Sequence, residues 1–215
     1  MDLAVLVEGT VDYPVLIAFV LASLALALSP GPDNIFVLTQ SISLGSRAGL
    51  AVSLGLVVGC LVHTGLVAFG VSQVIARSDT LFFAIKLLGA FYLLYLAYQV
   101  YRGGDSILFE GKGAVPRPAI RLFLRGLIMN LLNPKVAIFF LAFFPGFLFS
   151  GELDPMIQFF VLGLLFMGSA LIVFGSIALL AGPISKYLHR NPKAGLYLKW
   201  VQLVVFVGIA LHLLM

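Results

Sequence analysis

The sequence predicts an all-α membrane protein whose six transmembrane helices form two inverted three-helix repeats, with the first and fourth helices broken. Composition is the first observation: 61% of the residues are hydrophobic and 10% are charged, whereas an average soluble domain carries roughly a quarter charged residues. The second is a set of six apolar stretches of membrane-spanning length. The third is that prolines interrupt two of these stretches at corresponding points of the two halves.

The helices are predicted from length and hydropathy. A bilayer core about 30 Å thick requires roughly 20 apolar residues in helical form. Contiguous apolar segments satisfy their backbone in lipid as helices, and the period-2 alternation of a membrane barrel is absent. Residues 1–12 contain three acids and no Lys or Arg, so we expect the first stretch to be a retained helix and not a signal peptide. The six stretches are 13–41, 47–75, 80–101, 121–149, 156–180 and 196–214.

The connections predict the domain organisation and the orientation in the membrane. We expect one polytopic domain (1–215), in which a linker at 102–120 separates a first half (1–101) from a second half (121–215). Cytoplasmic loops collect Lys and Arg, so the linker is predicted to be cytoplasmic and both termini to lie outside. The basic side receives Arg47, Arg102, Lys112, Arg117, Arg121, Arg125, Lys186, Arg190, Lys193 and Lys199. The opposite side receives Arg77 and the acids Asp2, Glu8, Asp12, Asp79, Glu152 and Asp154.

Composition also argues against several classes of protein. The net charge of +4 arises in these loops, and no basic stripe with interleaved aromatics predicts a nucleic-acid partner. A single cysteine, Cys60, excludes an internal disulfide and a CxxC motif. The histidines are scattered, so we expect no metal site, and His63 is interpreted as a buried histidine bonded to a neighbour. No phosphate-binding loop or Ser/His/Asp constellation is recognisable, so we expect the protein not to be an enzyme and not to bind a cofactor.

The first helix is broken at Ser29-Pro30-Gly31-Pro32. Proline lacks a backbone N–H and disfavours helix in the preceding residue, while Gly31 supplies backbone freedom. The fourth helix is interrupted at Asn133-Pro134. Each broken helix is the first of a group of three helices. Because three is an odd number of membrane crossings, the second group has the opposite orientation to the first. Matched, interrupted helices in inverted halves are typical of a transporter binding site, although a plain proline kink at Pro134 is the alternative.

A charged residue follows each break, Asp33 after Pro32 and Lys135 after Pro134. A charge near the bilayer centre costs at least roughly 2.5–3.5 kcal/mol on insertion scales, which predicts a functional role. Two structural alternatives stay open. The two charges can pair and hold the halves together, or Asp33 can complement the dipole of the half-helix that it begins.

Amide and hydroxyl side chains cluster near both breaks and predict a polar binding site. They either bind the polar ends of a solute or satisfy the backbone that the breaks release. A face of glycines on the second helix, at 45, 49, 55, 59 and 65, predicts close helix packing within one protomer or in a homo-oligomer. The candidate site residues are Ser29, Pro30, Gly31, Pro32, Asp33, Asn34, Asn130, Asn133, Pro134 and Lys135.

These motifs also carry a family resemblance. The segments Ser29-Pro30-Gly31-Pro32-Asp33-Asn34, Leu88-Gly89-Ala90-Phe91-Tyr92-Leu93 and Asn133-Pro134-Lys135-Val136-Ala137, the last leading to Phe144-Pro145, occur in this order along nearly the whole chain. In motif order, length and helix number the chain resembles the lysine exporter/homoserine–threonine exporter (LysE/RhtB) family. The resemblance implies a small bacterial inner-membrane exporter of amino acids or related metabolites, energised by the proton gradient. Its signature residues are Pro30, Gly31, Pro32, Asn133, Pro134 and Lys135.

The expected function is therefore secondary export of a small zwitterionic solute by proton antiport. The half-helix that starts near Lys135 would attract the substrate carboxylate. Asp33 and unwound carbonyls near Ser29 would attract its ammonium group. The alternatives are a metal or inorganic-ion exporter of a related six-helix family, which should show an intramembrane cluster of Cys, His and acids, a membrane enzyme, and a helical scaffold, which would not need paired broken helices.

Overall fold

The computed structural model describes residues 11–29, 31–72, 78–102, 117–191 and 194–214, and every regular element in these ranges is helical. This confirms the predicted all-α membrane fold. Pro30 and most of the predicted linker lie outside the described residues. The helices are α1 Tyr13–Leu28, α2 Pro32–Leu44, α3 Ser46–Leu66 with a π-helical continuation Val67–Val71, α4 Asp79–Arg102, α5 Ala119–Leu131, α6 Pro134–Phe143 with a 3₁₀ turn Phe144–Phe147, α7 Pro155–Leu179, α8 Ala181–Arg190 and α9 Ala194–Leu214.

Four helices are each long and apolar enough to cross a membrane: α3 with its continuation, α4, α7 and α9. Two bent pairs of helices pass the same test when each pair is taken as one span. Helices α1 and α2 meet at 60°, and α5 meets α6 at 54°. Each of the six predicted stretches thus corresponds to one straight helix or to one bent pair. The two bent pairs are the two stretches in which the sequence predicted a break.

The prolines act as helix starts. Pro32 and Pro134 stand in the first turn of α2 and α6, where a missing N–H costs nothing because the first N–H groups of a helix have no intrahelical partner. Pro155 occupies the same place in α7, where the Asp154 side chain accepts from the Met156 N–H at 2.7 Å. Each break is therefore the end of one helix followed at once by a well-formed start of another.

Glycines allow α3 and α5 to cross closely. A Cβ atom at Gly55 would lie 2.0 Å from the Phe123 carbonyl oxygen, and one at Gly126 would lie 2.3 Å from the Val52 oxygen. The small-residue face predicted on the second helix therefore packs within the chain at this crossing. Gly65 has no heavy atom within 4 Å of an added Cβ and takes no part in it.

The helix neighbours follow a regular pattern. Helix α3 packs on α5 and α1 packs on α7, while α3 also meets α7 and α4 meets α9. Exchanging equivalent helices of the two halves turns the α3–α5 contact into the α1–α7 contact. The same exchange leaves the α3–α7 and α4–α9 contacts unchanged. This is the contact pattern expected of an inverted repeat, which remains a prediction for this chain.

Two local features complete the frame. Residues 181–190, predicted as part of a basic connection, form the short amphipathic helix α8, with Lys186 and Arg190 exposed. At the opposite end, the buried Gln158 side chain accepts from the N–H groups of Phe149 and Ser150, at 2.7 and 3.0 Å. It also donates to two carbonyls of the same turn. One glutamine therefore fixes the connection between α6 and α7.

Candidate functional site

The two helix breaks meet around a cavity of about 40 Å³. Seven of the ten predicted site residues line it. Of the others, Ser29 is fully buried at the end of α1, Pro134 is exposed, and Pro30 lies outside the described residues. The lining residues predicted from the sequence are Gly31, Pro32, Asp33, Asn34, Asn130, Asn133 and Lys135, and the others are Leu26, Ala27, Cys60, Val136, Phe166, Ala170 and Phe174.

At the first break the Asn34 side chain satisfies released backbone, whereas the Ser29 Oγ is buried without a hydrogen-bond partner. The Ser29 N–H donates back to the carbonyls of Ala25 and Leu26. The Asn34 side chain donates to the Ala27 carbonyl at 2.8 Å, which occupies an acceptor left free by the end of α1. Asp33, in the first turn of α2, is buried with 7% of its surface exposed.

At the second break Asn133 makes two contacts that join the halves. Its Oδ1 accepts from the Lys135 N–H at 3.1 Å and caps α6. Its Nδ2 donates to Asp33 Oδ2 at 3.0 Å, between residues 100 positions apart. One amide therefore caps the half-helix of the second repeat and holds the carboxylate of the first.

The Lys135 ammonium lies near both the Phe206 ring and the first break. Its Nζ lies 5.0 Å from the centre of the Phe206 ring on α9, within the range of a cation–π contact. A Cβ atom at Gly31 would lie 3.7 Å from the same Nζ, so the ammonium approaches the first break where that break lacks a side chain. An acid and a base, from opposite halves of the chain, thus line one small cavity.

A third wall of the cavity comes from α3 and α5. The Asn130 carbonyl lies 3.2 Å from His63 Nε2, and the Asn130 Nδ2 lies 3.6 Å from the Cys60 sulfur. His63 is therefore a buried histidine bonded to backbone, which is its predicted environment. Within the described residues no three His, Cys, Asp or Glu side chains are grouped to hold a metal ion.

Phenylalanines fill the space between the cavity and the α6–α7 connection. Phe143 stacks on Phe139 with ring centres 4.3 Å apart, Phe140 stacks on Phe144 at 4.2 Å, and Phe19 of α1 packs edge-on against Phe144 at 5.1 Å. All members are buried. We call this group the phenylalanine cluster: Phe19, Phe139, Phe140, Phe143, Phe144, Phe147 and Phe166.

The lining residues on unbroken helices could not be predicted from the sequence. Phe166, Ala170 and Phe174 recur every four positions and so share one face of α7. This spacing is present in the sequence, but so are others like it on every apolar helix. Which face meets the cavity is decided by the crossing of α7 with the bent pairs.

The sequence matches one family model and several known proteins. Residues 24–215 match the family model described as LysE type translocator. The chain is 34% identical over 176 residues to the homoserine/homoserine lactone efflux proteins of Salmonella typhimurium and Salmonella typhi, covering 82% of this chain and 84% of each relative. It is 31% identical over 182 residues to an uncharacterized membrane protein of Vibrio cholerae, covering 84% of this chain and 87% of that one. No solved structure matches the chain.

Proposed function

The chain belongs to the LysE type translocator family, and on that basis we propose that it exports amino acids or related small zwitterionic metabolites across the bacterial inner membrane in exchange for protons. The observation that carries this proposal is the meeting of Asp33 and Lys135, from two broken helices, at one cavity. The efflux relatives named above support the class of substrate.

An amino acid offers one carboxylate and one ammonium group, and the cavity offers a partner for each. The N-terminus of α6 carries a partial positive charge, and the Lys135 ammonium, near Gly31, adds a full positive charge to the same cavity. These two positive groups suit the substrate carboxylate. The Asp33 carboxylate has a hydrogen bond from Asn133 at one oxygen, so its other oxygen is available for the substrate ammonium.

Asp33 is also our choice for the proton carrier. It is a buried carboxylate whose charge is costly inside a membrane unless a cation stands beside it. While the substrate ammonium is bound, the carboxylate stays ionised; once the substrate leaves, it takes up a proton. Outward movement of substrate would thereby be coupled to inward movement of a proton.

The observed cavity is too small for an amino acid. A single water molecule needs roughly 10–15 Å³ of such space, so a cavity of about 40 Å³ holds only a few waters. Transport therefore requires the cavity to enlarge and to open in turn to each side. On the side of the α6–α7 connection, the phenylalanine cluster must part, because its stacked rings leave no passage.

The proposed orientation places both termini and the α6–α7 connection outside. The Asp12 N–H donates to the Phe149 carbonyl at 2.8 Å, so the start of α1 and that connection share one side. In a variant that lacks Cys60, a cysteine at Glu152 should react with an impermeant thiol reagent in intact cells. A cysteine at Lys112 or Arg190 should be protected, and the reverse pattern would overturn this orientation.

The function itself is tested by reconstitution in liposomes with a panel of labelled amino acids. We expect at least one of them to be exchanged, and to accumulate against its gradient when a pH gradient is imposed. A dissipated pH gradient is the control for leakage. Exchange that does not respond to the pH gradient would support an amino-acid carrier and contradict proton antiport. A failure to exchange any amino acid would contradict the proposed function.

A further inference from the structure

Helices α4 and α9 form an open apolar groove on the outside of the helix bundle. They are the least buried of the four straight spans, because 22% and 28% of their apolar segments are buried, against 61% for α3 and 50% for α7. The groove between them has a volume of about 600 Å³, and every residue that lines it is apolar, aromatic or glycine. It shares no lining residue with the cavity between the two breaks. In a membrane this groove therefore faces lipid.

The groove is about as long as one leaflet of the bilayer is thick. Its walls are α4 from Leu94 to Tyr101 and α9 from Trp200 to Leu211. At about 1.5 Å per residue the α9 wall is about 16 Å long, and half of a hydrocarbon core of about 30 Å is about 15 Å. One extended acyl chain of a phospholipid therefore matches the groove in length.

A glycine gives the groove its depth. A Cβ atom at Gly208 would have no heavy atom within 4 Å. Gly208 lies two turns from Trp200 on the same face of α9, with Val204 between them. The missing side chain therefore leaves a recess in the α9 wall that a chain of methylene groups can fill.

Aromatic and basic residues gather at one end of the groove. Tyr98, Tyr101 and Trp200 line this end, and each is more than half exposed. Tyr and Trp rings favour the membrane–water interface. Arg102 donates to the Tyr98 hydroxyl at 3.2 Å, and its guanidinium carbon lies 5.6 Å from the centre of the same ring. A fixed positive charge thus stands where a lipid headgroup would lie.

We propose that this groove binds one anionic phospholipid, whose acyl chain lies along α4 and α9 and whose phosphate bonds Arg102. A guanidinium has donors beyond the one that bonds Tyr98, and it can give two parallel hydrogen bonds to phosphate oxygens. Lys199, which precedes Trp200 in α9, adds a second positive charge at this end. An anionic headgroup is favoured here over a zwitterionic one, which would bring its own cation to the same place.

A second copy of the chain suits the groove less well. A two-fold interface sets the same surface against itself, so two grooves would face each other and leave a gap. Copies inserted in the same orientation would also bring their two Arg102 side chains to the same end of the interface, where like charges repel. A phospholipid fills the groove and neutralises Arg102 at once.

Trp200 is the single tryptophan of the chain and reports directly on the groove. The full-length protein is reconstituted in phosphatidylcholine liposomes that contain a small share of brominated phosphatidylglycerol or brominated phosphatidylcholine, since bromine on an acyl chain quenches tryptophan fluorescence. We expect phosphatidylglycerol to bind with about fivefold higher relative affinity, the effect of one Arg near an anionic headgroup. Equal quenching by the two lipids would overturn the proposal. Protection of Trp200 from both would show that another copy of the chain covers the groove, and would overturn it as well.

Variants then assign the preference to the two ends of the site. Arg102→Gln should bring the affinity ratio close to one, whereas Arg190→Gln, at an exposed residue of α8, should leave it unchanged. Gly208→Leu fills the recess and should lower the ratio. Gly168→Leu is its control, because an added Cβ there also meets no heavy atom within 4 Å and Gly168 does not line the groove.

The outcomes separate this proposal from the proposed function. A full preference for phosphatidylglycerol in Arg102→Gln or in Gly208→Leu would contradict the assigned site. Should either variant fail to reach the membrane, the wild-type ratio and the other variant still test the proposal. None of these measurements requires transport, so a failure to exchange any amino acid would contradict the proposed function and leave the lipid site standing.

Discussion

The two helix breaks differ in the sign of the charge that follows them. At the first, the positive N-terminus of α2 carries Asp33 and is neutralised by it; at the second, the positive N-terminus of α6 carries Lys135 and becomes more positive. An acid in this place stabilises its own half-helix, whereas a base does not. Local helix stability therefore does not explain the base, and the proposed function assigns it to the substrate carboxylate.

The breaks also differ in how their backbone is satisfied. Asn34 serves only the first break, by bonding the Ala27 carbonyl. Asn133 serves both, by capping α6 and holding Asp33. Asn34 thus acts within the first break, while Asn133 connects the second break to its counterpart across the cavity. We expect substitutions at the two sites to have correspondingly different effects on transport.

The largest effect is expected from Asp33→Asn. If Asp33 carries the proton, this variant should lose gradient-driven accumulation in liposomes and retain some passive exchange of substrate. Asp154→Asn is the matched control, because Asp154 caps α7 outside the cavity. Full pH-gradient-driven transport by Asp33→Asn would return Asp33 to a purely structural role and make His63 the next candidate.

Lys135→Ala should raise KM about 10–100-fold, since it removes a charged donor to the substrate carboxylate worth roughly 1.5–3 kcal/mol. Exchange kinetics at several substrate concentrations measure this. Lys186→Ala, an exposed lysine of α8, should leave KM unchanged. If the two charges act as one unit, Asp33→Asn combined with Lys135→Ala should be less than additively worse. An unaltered KM in Lys135→Ala would remove the proposed anion site.

Asn133→Ala should reduce the exchange rate roughly tenfold, because it removes an N-cap, typically worth about 1 kcal/mol, together with the bond to Asp33. Asn34→Ala should reduce it less, since Asn34 bonds only the Ala27 carbonyl. The comparison requires rates normalised to the protein present in the membrane. Equal losses in the two variants would show that the connection between the breaks does not matter.

The smallest effects are expected from Pro32→Ala and Pro134→Ala. Each restores an N–H and allows the two half-helices to straighten, which should lower transport a few-fold more than it lowers abundance. Pro155→Ala is the control, as it removes a proline from the first turn of α7, where no break exists. Losses of transport in strict proportion to abundance would make both prolines structural only.

The sequence predicted the fold and the two breaks because both depend on local chemistry. Apolar length determines the spans, and Pro32 and Pro134 determine where helices restart. It also indicated Asp33 and Lys135, since charges are conspicuous in apolar segments. The hydrogen bond between Asp33 and Asn133 could not be predicted from the sequence, because it depends on how the two halves pack.

Other features were missed for identifiable reasons. Helix α8 looked like a basic connection, since it contains Pro183, precedes Pro192 and is only ten residues long. Gln158 was visible as a lone amide in an apolar helix, but the turn that it holds is a tertiary feature. Cys60 and Phe166 line the cavity through helix crossing, which the sequence does not specify.

The bond from Asn133 to Asp33 also has a consequence for synthesis, since its partners are 100 residues apart. A ribosome that adds roughly 5–20 residues per second emits Asn133 about 5–20 s after Asp33. During that interval the first half carries a carboxylate whose final partner does not yet exist. Early insertion of the first bent pair thus leaves Asp33 dependent on water, on a bound proton or on the translocation machinery until the second half arrives.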